Sequence, residues 1–129
     1  MVLAACATRP GSPVLPDNAP GPRAEIYVFN VSRGTLIPLR RHVTIDGFPL
    51  ASLPDETWRR IVVTPGSHEI RLDSRRLPLE TTDGGVYFVA VGYRPRREWL
   101  HPSGTDPIFI RRLSEADALR LFTELKQAA

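Results

Sequence analysis

The chain has 129 residues, 42% of them hydrophobic, and 17 Lys and Arg against 14 Asp and Glu give a formal net charge of +3. That length holds one domain of ordinary size and not two. The single Cys excludes an intramolecular disulfide, and nowhere is there a run of roughly 18 apolar residues that could cross a bilayer as a helix.

At the amino end stands Leu3-Ala4-Ala5-Cys6, and from Arg9 to Arg23 the chain carries Pro10, Gly11, Pro13, Pro16, Pro20, Gly21 and Pro22. A segment so rich in Pro cannot continue a helix and tends to an extended path of about 3.1 Å per residue. It is expected to act as a stiff spacer that holds a domain several tens of ångströms from its attachment point. Residues 3–6 resemble the lipobox of bacterial lipoprotein signal peptides. The resemblance implies that Cys6 is diacylated on its thiol and that the bond before it is cut. The division expected is residues 1–6 as the remnant of a signal peptide, 7–23 as a Pro- and Gly-rich tether, and 24–129 as the folded domain. A cytoplasmic start at Met1 is the alternative.

From Ala24 onward the pattern is one of short strands. Ala24-Glu25-Ile26-Tyr27-Val28-Phe29 is apolar on both alternations, as a strand covered on two faces would be. His42-Val43-Thr44-Ile45 is half-buried and runs into Asp46-Gly47, a hairpin turn pair. Phe48 to Leu53 is the short return, with Pro49 marking an edge or a break. Trp58 to Val63 leads through Thr64-Pro65-Gly66-Ser67 into His68-Glu69-Ile70-Arg71-Leu72, where His68, Ile70 and Leu72 face one way, and a second hairpin is expected there. Leu77 to Thr81 is expected to pair through Asp83-Gly84-Gly85 with Val86 to Val91, the most apolar stretch and the expected central strand. Ile108-Phe109-Ile110 is the last strand.

A helix is expected over residues 114–127. Ser114 can accept from first-turn amides, Glu115 and Asp117 suit the positive end of the dipole, and Leu113 and Ala118 are spaced as a hydrophobic staple. Ala118, Leu121, Phe122 and Leu125 then form one apolar stripe to lie on the sheet. The fold expected is mainly β: a small antiparallel sandwich of about seven short strands with one C-terminal α-helix. The succession Ala24-Glu25-Ile26-Tyr27-Val28, Ile45-Asp46-Gly47, Pro65-Gly66-Ser67-His68 and Gly84-Gly85-Val86-Tyr87-Phe88-Val89 looks like a group of small bacterial lipoproteins of unknown function. Its hairpin logic is similar to that of PEGA-type surface modules. The resemblance implies a fold and a place in the cell envelope, and it carries no chemistry.

The basic residues are almost all Arg, and they come in adjacent pairs: Arg40-Arg41, Arg59-Arg60, Arg75-Arg76, Arg96-Arg97 and Arg111-Arg112. Adjacent residues of a strand point to opposite faces, so these pairs read as strand ends and edge protection, or as a surface facing anionic headgroups or polysaccharide. His42, His68 and His101 lie on separate elements without metal-ligand spacing, and no metal or cofactor is expected. His68 reads as a core-edge histidine bonded to backbone. No Ser sits in a Gly-x-Ser-x-Gly elbow, and Gly84-Gly85 lacks the Lys and Ser or Thr of a phosphate loop, so no enzyme is expected.

Tyr93-Arg94-Pro95-Arg96-Arg97-Glu98-Trp99-Leu100-His101-Pro102 concentrates Arg and aromatic residues in one loop. That is the composition of interface anchors and of stacking surfaces, which makes Tyr93, Arg94, Arg96, Arg97, Trp99 and His101 the candidate partner-binding residues. Tyr93 and Trp99 plugging the open end of the sandwich is the other reading. The partners expected are the membrane, through lipidated Cys6, and an envelope protein or glycan. Nucleic acid would be the partner of a cytoplasmic form, although Gly85 to Val89 lacks the pattern of a ribonucleoprotein strand.

Overall fold

The computed structural model describes residues 12–32, 43–50, 53–93 and 108–128. Within them lie β1 (Val14–Leu15), β2 (Ala24–Asn30), β3 (Val43–Ile45), β4 (Phe48–Pro49), β5 (Thr57–Val63), β6 (Gly66–Leu72), β7 (Arg75–Thr81), β8 (Val86–Tyr93), β9 (Ile108–Arg112), α1 (Glu115–Glu124) and β10 (Lys126–Gln127). The strands form two sheets. The first has the order β5-β2-β8-β9, with β1 and β10 both on the outer edge of β5, and the second has the order β4-β3-β6-β7. The fold is mainly β, a small sandwich with one C-terminal helix.

Alternation along the strands builds two cores, one on each face of the first sheet. Ile26, Val28, Ile61, Val63, Val89 and Val91 point toward the second sheet and meet Val43, Ile45, Ile70, Leu72 and Leu79. Tyr27, Phe29, Trp58, Phe88 and Ala90 point the other way and are covered by Ala118, Leu121, Phe122 and Leu125 of the helical segment. Each fully buried aliphatic side chain contributes about 1.5–3 kcal/mol. The double covering of β2 is why its sequence is apolar on both alternations. β2, with β5 and β8 on either side, is the central strand, and β8 lies one place nearer the edge because β9 follows it in the sheet.

Two expected hairpins are replaced by crossings between the sheets. β5 and β6 do not pair with each other: β5 pairs with β2, and β6 with β3 and β7. The chain turns at Thr64-Pro65, and Gly66, at φ 133°, adopts a backbone few other residues tolerate. The apolar faces of the two strands then meet across the core. β7 likewise pairs with β6 and not with β8. Gly84 N–H donates to the Arg23 carbonyl at 2.8 Å and Glu25 N–H to the Gly85 carbonyl at 2.9 Å, so the turn after β7 is tied to the start of β2. From there β8 runs alongside β2 in parallel, Glu25 opposite Val86 through Asn30 opposite Val91. Together with the parallel pairing of β10 and β5, this departs from an all-antiparallel sandwich. The expected Asp46-Gly47 hairpin is present, with φ 51° and 86° at its two turn residues.

The helix starts as expected. Ser114 is its N-cap, its hydroxyl accepting from Asp117 N–H at 3.2 Å, and Leu113 and Ala118 are both buried in the helix-side core. It ends earlier than 127, at Glu124. Leu125 turns extended (φ −109°, ψ 159°) and buries its side chain, and Lys126 and Ala128 N–H donate to the carbonyls of Glu56 and Trp58. Sheet bonds on β5 replace the last helical turn.

The segment expected as a free spacer is bound to the sandwich from Ser12 onward. Leu15 stands opposite Val62, Thr64 N–H donates to the Pro13 carbonyl at 3.1 Å, and Val14 packs on the core between the sheets. Arg23 closes the segment, donating from Nη1 to the Ala19 carbonyl at 2.7 Å and from its backbone N–H to Asp83 Oδ1 at 3.1 Å. The physical reason is the unpaired outer edge of β5. Two apolar residues, Val14 and Leu15, are enough to cover its end.

Candidate functional site

The strand directions define two poles. At the first lie the start of β2, the start of β8 and the end of β5; Pro13 enters the fold there, beside Thr64. At the second lie the ends of β2 and β8. The ends that flank segments 33–42, 51–52 and 94–107, namely Ser32 and Val43, Leu50 and Leu53, and Tyr93 and Ile108, are all at the second pole. Of the candidate residues, Cys6, Arg94, Arg96, Arg97, Trp99 and His101 lie outside the described residues. Tyr93 is the last residue of β8, its backbone opposite Ile108 at the start of β9. The Arg and aromatic loop is therefore closed by an antiparallel stem.

Directly beneath that stem is a buried polar cluster that sequence reasoning missed. Asn30 and Ser32 are both fully buried. Asn30 Oδ1 accepts from Ser32 N–H at 3.0 Å, a local turn that ends the strand, while Nδ2 donates to the Leu53 carbonyl at 2.9 Å and reaches Asp55 Oδ1 at 3.5 Å. An ideal Cβ on Gly92 would stand 2.8 Å from Ser32 Oγ. Gly at the end of an apolar strand was the available signal, since it marks a close approach of neighbouring chain. These contacts of Asn30 tie the end of β2 to the chain before β5 and brace the root of the loop.

The only described histidine, His68, sits at the first pole with a nearly buried side chain, 4% exposed. Its Nδ1 is 2.6 Å from Asp46 Oδ2, and its Nε2 is 2.6 Å from the Thr64 carbonyl. Asp46 Oδ1 in turn accepts from Glu69 N–H at 2.7 Å. A catalytic Asp–His pair leaves the second ring nitrogen facing a nucleophile. Here that nitrogen faces a backbone carbonyl, so the pair ties three chain segments together and is not arranged to move a proton to a substrate. The expected backbone bond of His68 is present, and the carboxylate partner is additional to it.

Two further polar groups hold shape at the first pole. Arg60 Nε donates to Glu25 Oε1 at 2.7 Å, and this hydrogen bond, opposed by burial, raises the guanidinium pKa further. Tyr87 Oη accepts from Thr82 N–H at 3.0 Å and lies 3.2 Å from its hydroxyl, which lowers the phenol below the usual tyrosine range. The guanidinium of Arg112 stacks over the same ring at 5.2 Å. Among the described residues no three His, Cys, Asp or Glu side chains converge as metal ligands would. No described helix is long and apolar enough to cross a membrane.

Three of the Arg pairs fall on described strands, Arg59-Arg60 on β5, Arg75-Arg76 on β7 and Arg111-Arg112 on β9. β7 and β9 are edge strands of their sheets, and β7 also carries Pro78, which has no N–H to offer an incoming strand. Arg40-Arg41 and Arg96-Arg97 lie outside the described residues. Comparison with protein-family models, curated proteins and solved structures finds no match.

Proposed function

We propose that the chain is a bacterial envelope lipoprotein, tethered to a membrane through acylated Cys6, whose sandwich is a non-catalytic binding or structural module for another envelope component. The observation that supports this reading most is the opposition of the two poles. Ser12, six positions after Cys6, enters the fold at one pole, and the stem Tyr93 and Ile108 closes the Arg and aromatic loop at the other. The seven residues of β2 separate the poles by roughly 23 Å at about 3.3 Å per residue. A tether at the first pole leaves the second directed away from the bilayer. The chain ends that flank segments 33–42 and 94–107 stand at that second pole, and the sequence of those segments includes Arg33, Arg40, Arg41, Arg94, Arg96 and Arg97, a composition suited to an anionic protein or glycan.

The anchor is tested by expressing the chain behind a bacterial lipoprotein signal peptide and labelling with a fatty acid. Label on the parent and on no Cys6→Ser protein, with detergent partitioning lost in parallel, supports the reading, because stable attachment needs more than one acyl chain. An unlabelled parent in the aqueous phase overturns it. Recognition is tested by Trp99→Ala. Loss of capture of an envelope partner by about 2 kcal/mol or more at unchanged melting temperature supports an interface anchor. Destabilisation by about 3–5 kcal/mol instead identifies a core plug.

A further inference from the structure

We propose that the outer face of the second sheet holds a dianionic phosphate group, such as a phosphate monoester, between Arg71 and Arg76. The two residues stand directly opposite each other in the register of β6 and β7, and Thr44 of β3 is directly opposite Arg71 on its other side. Directly opposed residues share a face. His68, Ile70 and Leu72 fill the core side of β6, so this row of a hydroxyl and two guanidinium groups lies on the solvent side, where Arg71 and Arg76 are both exposed.

Nothing in the fold asks for that pairing. Like charges directly opposite each other on neighbouring strands destabilise a sheet, and neither side chain contributes to a core. Glu69 and Glu80, on the same face, do not neutralise the row. Glu69 reaches Arg71 only at 3.9 Å, with both side chains close to half exposed. Glu80 is engaged two rows away by the Ser67 hydroxyl at 2.5 Å. Among the described residues Arg76 has no carboxylate partner.

Two positive charges side by side match a group that carries about −1.5 to −2 charges and three acceptor oxygens, as a phosphate monoester does near neutral pH. A single carboxylate would leave one guanidinium unpaired. Each Arg presents a planar fork that can donate two parallel hydrogen bonds to such oxygens. Binding would turn a cross-strand repulsion into a bridge. The site is independent of the tether and of the loop after β8.

The test is calorimetric titration and thermal melting of the full chain with inorganic phosphate, against chloride at matched ionic strength. Saturable binding with a rise in melting temperature is expected for phosphate and not for chloride. Arg76→Gln should weaken phosphate binding about tenfold or more through loss of a charge-assisted contact. Without phosphate, that variant should melt no lower than the parent, since repulsion is removed. The source of the group is read with vesicles. Binding to phosphatidic acid and not to phosphatidylglycerol identifies a lipid-borne monoester, whereas binding confined to soluble glucose 6-phosphate identifies a sugar- or metabolite-borne one; either supports the site. No saturable phosphate binding, or an undiminished response in the Arg71→Gln, Arg76→Gln double variant, overturns the proposal.

Discussion

His68 and Asp46, 22 residues apart in the chain, meet at 2.6 Å between Nδ1 and Oδ2, and the other nitrogen of the same ring meets the Thr64 carbonyl at the same distance. Both partners are oxygen acceptors, so a ring nitrogen that carries hydrogen has one of them to donate to. The arrangement fastens the β3–β4 turn, β6 and the crossing from β5 into one unit. His68→Leu keeps much of the volume but leaves a carboxylate and a carbonyl without their donor. A loss of about 2–4 kcal/mol in chemical denaturation is expected. Asp46→Asn keeps one acceptor and a residue tolerant of the positive φ at that turn, and should cost about 1–2 kcal/mol. Equal, negligible effects would show the ring to be a spectator.

One helix side chain is central to the aromatic packing on the sheet. Phe122 stands 4.9 Å from the Trp58 ring, 5.0 Å from Phe29 and 5.2 Å from Tyr27, in each case edge to face. Phe122→Ala should lower stability by about 3–5 kcal/mol. Near-ultraviolet circular dichroism should report the loss of fixed aromatic environment around Trp58, and an unchanged spectrum would count against the helix-side core as described.

Gly92→Ala tests the brace beneath the loop. The added methyl meets Ser32 Oγ at 2.8 Å and Ser32 N at 3.2 Å, and both residues are buried. A cost of about 1–3 kcal/mol is expected from overpacking. Combining it with Ser32→Gly, which removes the opposing hydroxyl, should recover part of that cost in a double-mutant cycle. Strict additivity of the two changes would refute the contact.

Removal of residues 1–23 measures what the segment before β2 contributes. Because Val14 is packed on the core and β1 covers the end of β5, the truncated chain should lose more than about 1 kcal/mol, a sizeable part of ordinary domain stability. Val14→Asp in the full-length chain should lose a comparable amount by placing a carboxylate against apolar neighbours. A truncated domain with unchanged unfolding free energy would mean that the segment is a passenger.

Much of the fold is legible from local patterning. The apolar doubling of Tyr27, Val28 and Phe29 announces a strand covered on both faces, Asp46-Gly47 announces a hairpin, and Ser114 with Glu115 and Asp117 announces the helix start. Turn chemistry, however, marks where the chain reverses and says nothing of which sheet receives it. Thr64-Pro65-Gly66 would serve a hairpin as well as a crossing. The choice is made by the packing of Ile61 and Val63 against Ile70 and Leu72, a contact across sheets. Asn30 resisted for a related reason, since its partner, the Leu53 carbonyl, lies 23 residues away. The Asp46–His68 contact depends on the register of β3 on β6, which no short window contains. Val14 and Leu15, embedded among prolines, look like spacer until the bare edge of β5 is set beside them. Of the candidate site, only the stem at Tyr93 falls within the described residues.

The parallel run of β2 and β8 has a mechanical consequence. A pull applied between the chain entering β1 and the chain leaving β8 acts along the strand axis from opposite ends of the first sheet. The path crosses β1 to β5, β5 to β2 and β2 to β8 sideways, so each ladder is loaded in shear and its hydrogen bonds resist together, instead of opening one after another as in an unzipping hairpin. The three ladders are unequal. β5 to β2 pairs seven residues and β2 to β8 six, while β1 to β5 pairs two. The short ladder is the fuse: under tension β1 yields first, freeing residues 12–23 as extra chain length while the two long ladders hold the sandwich intact.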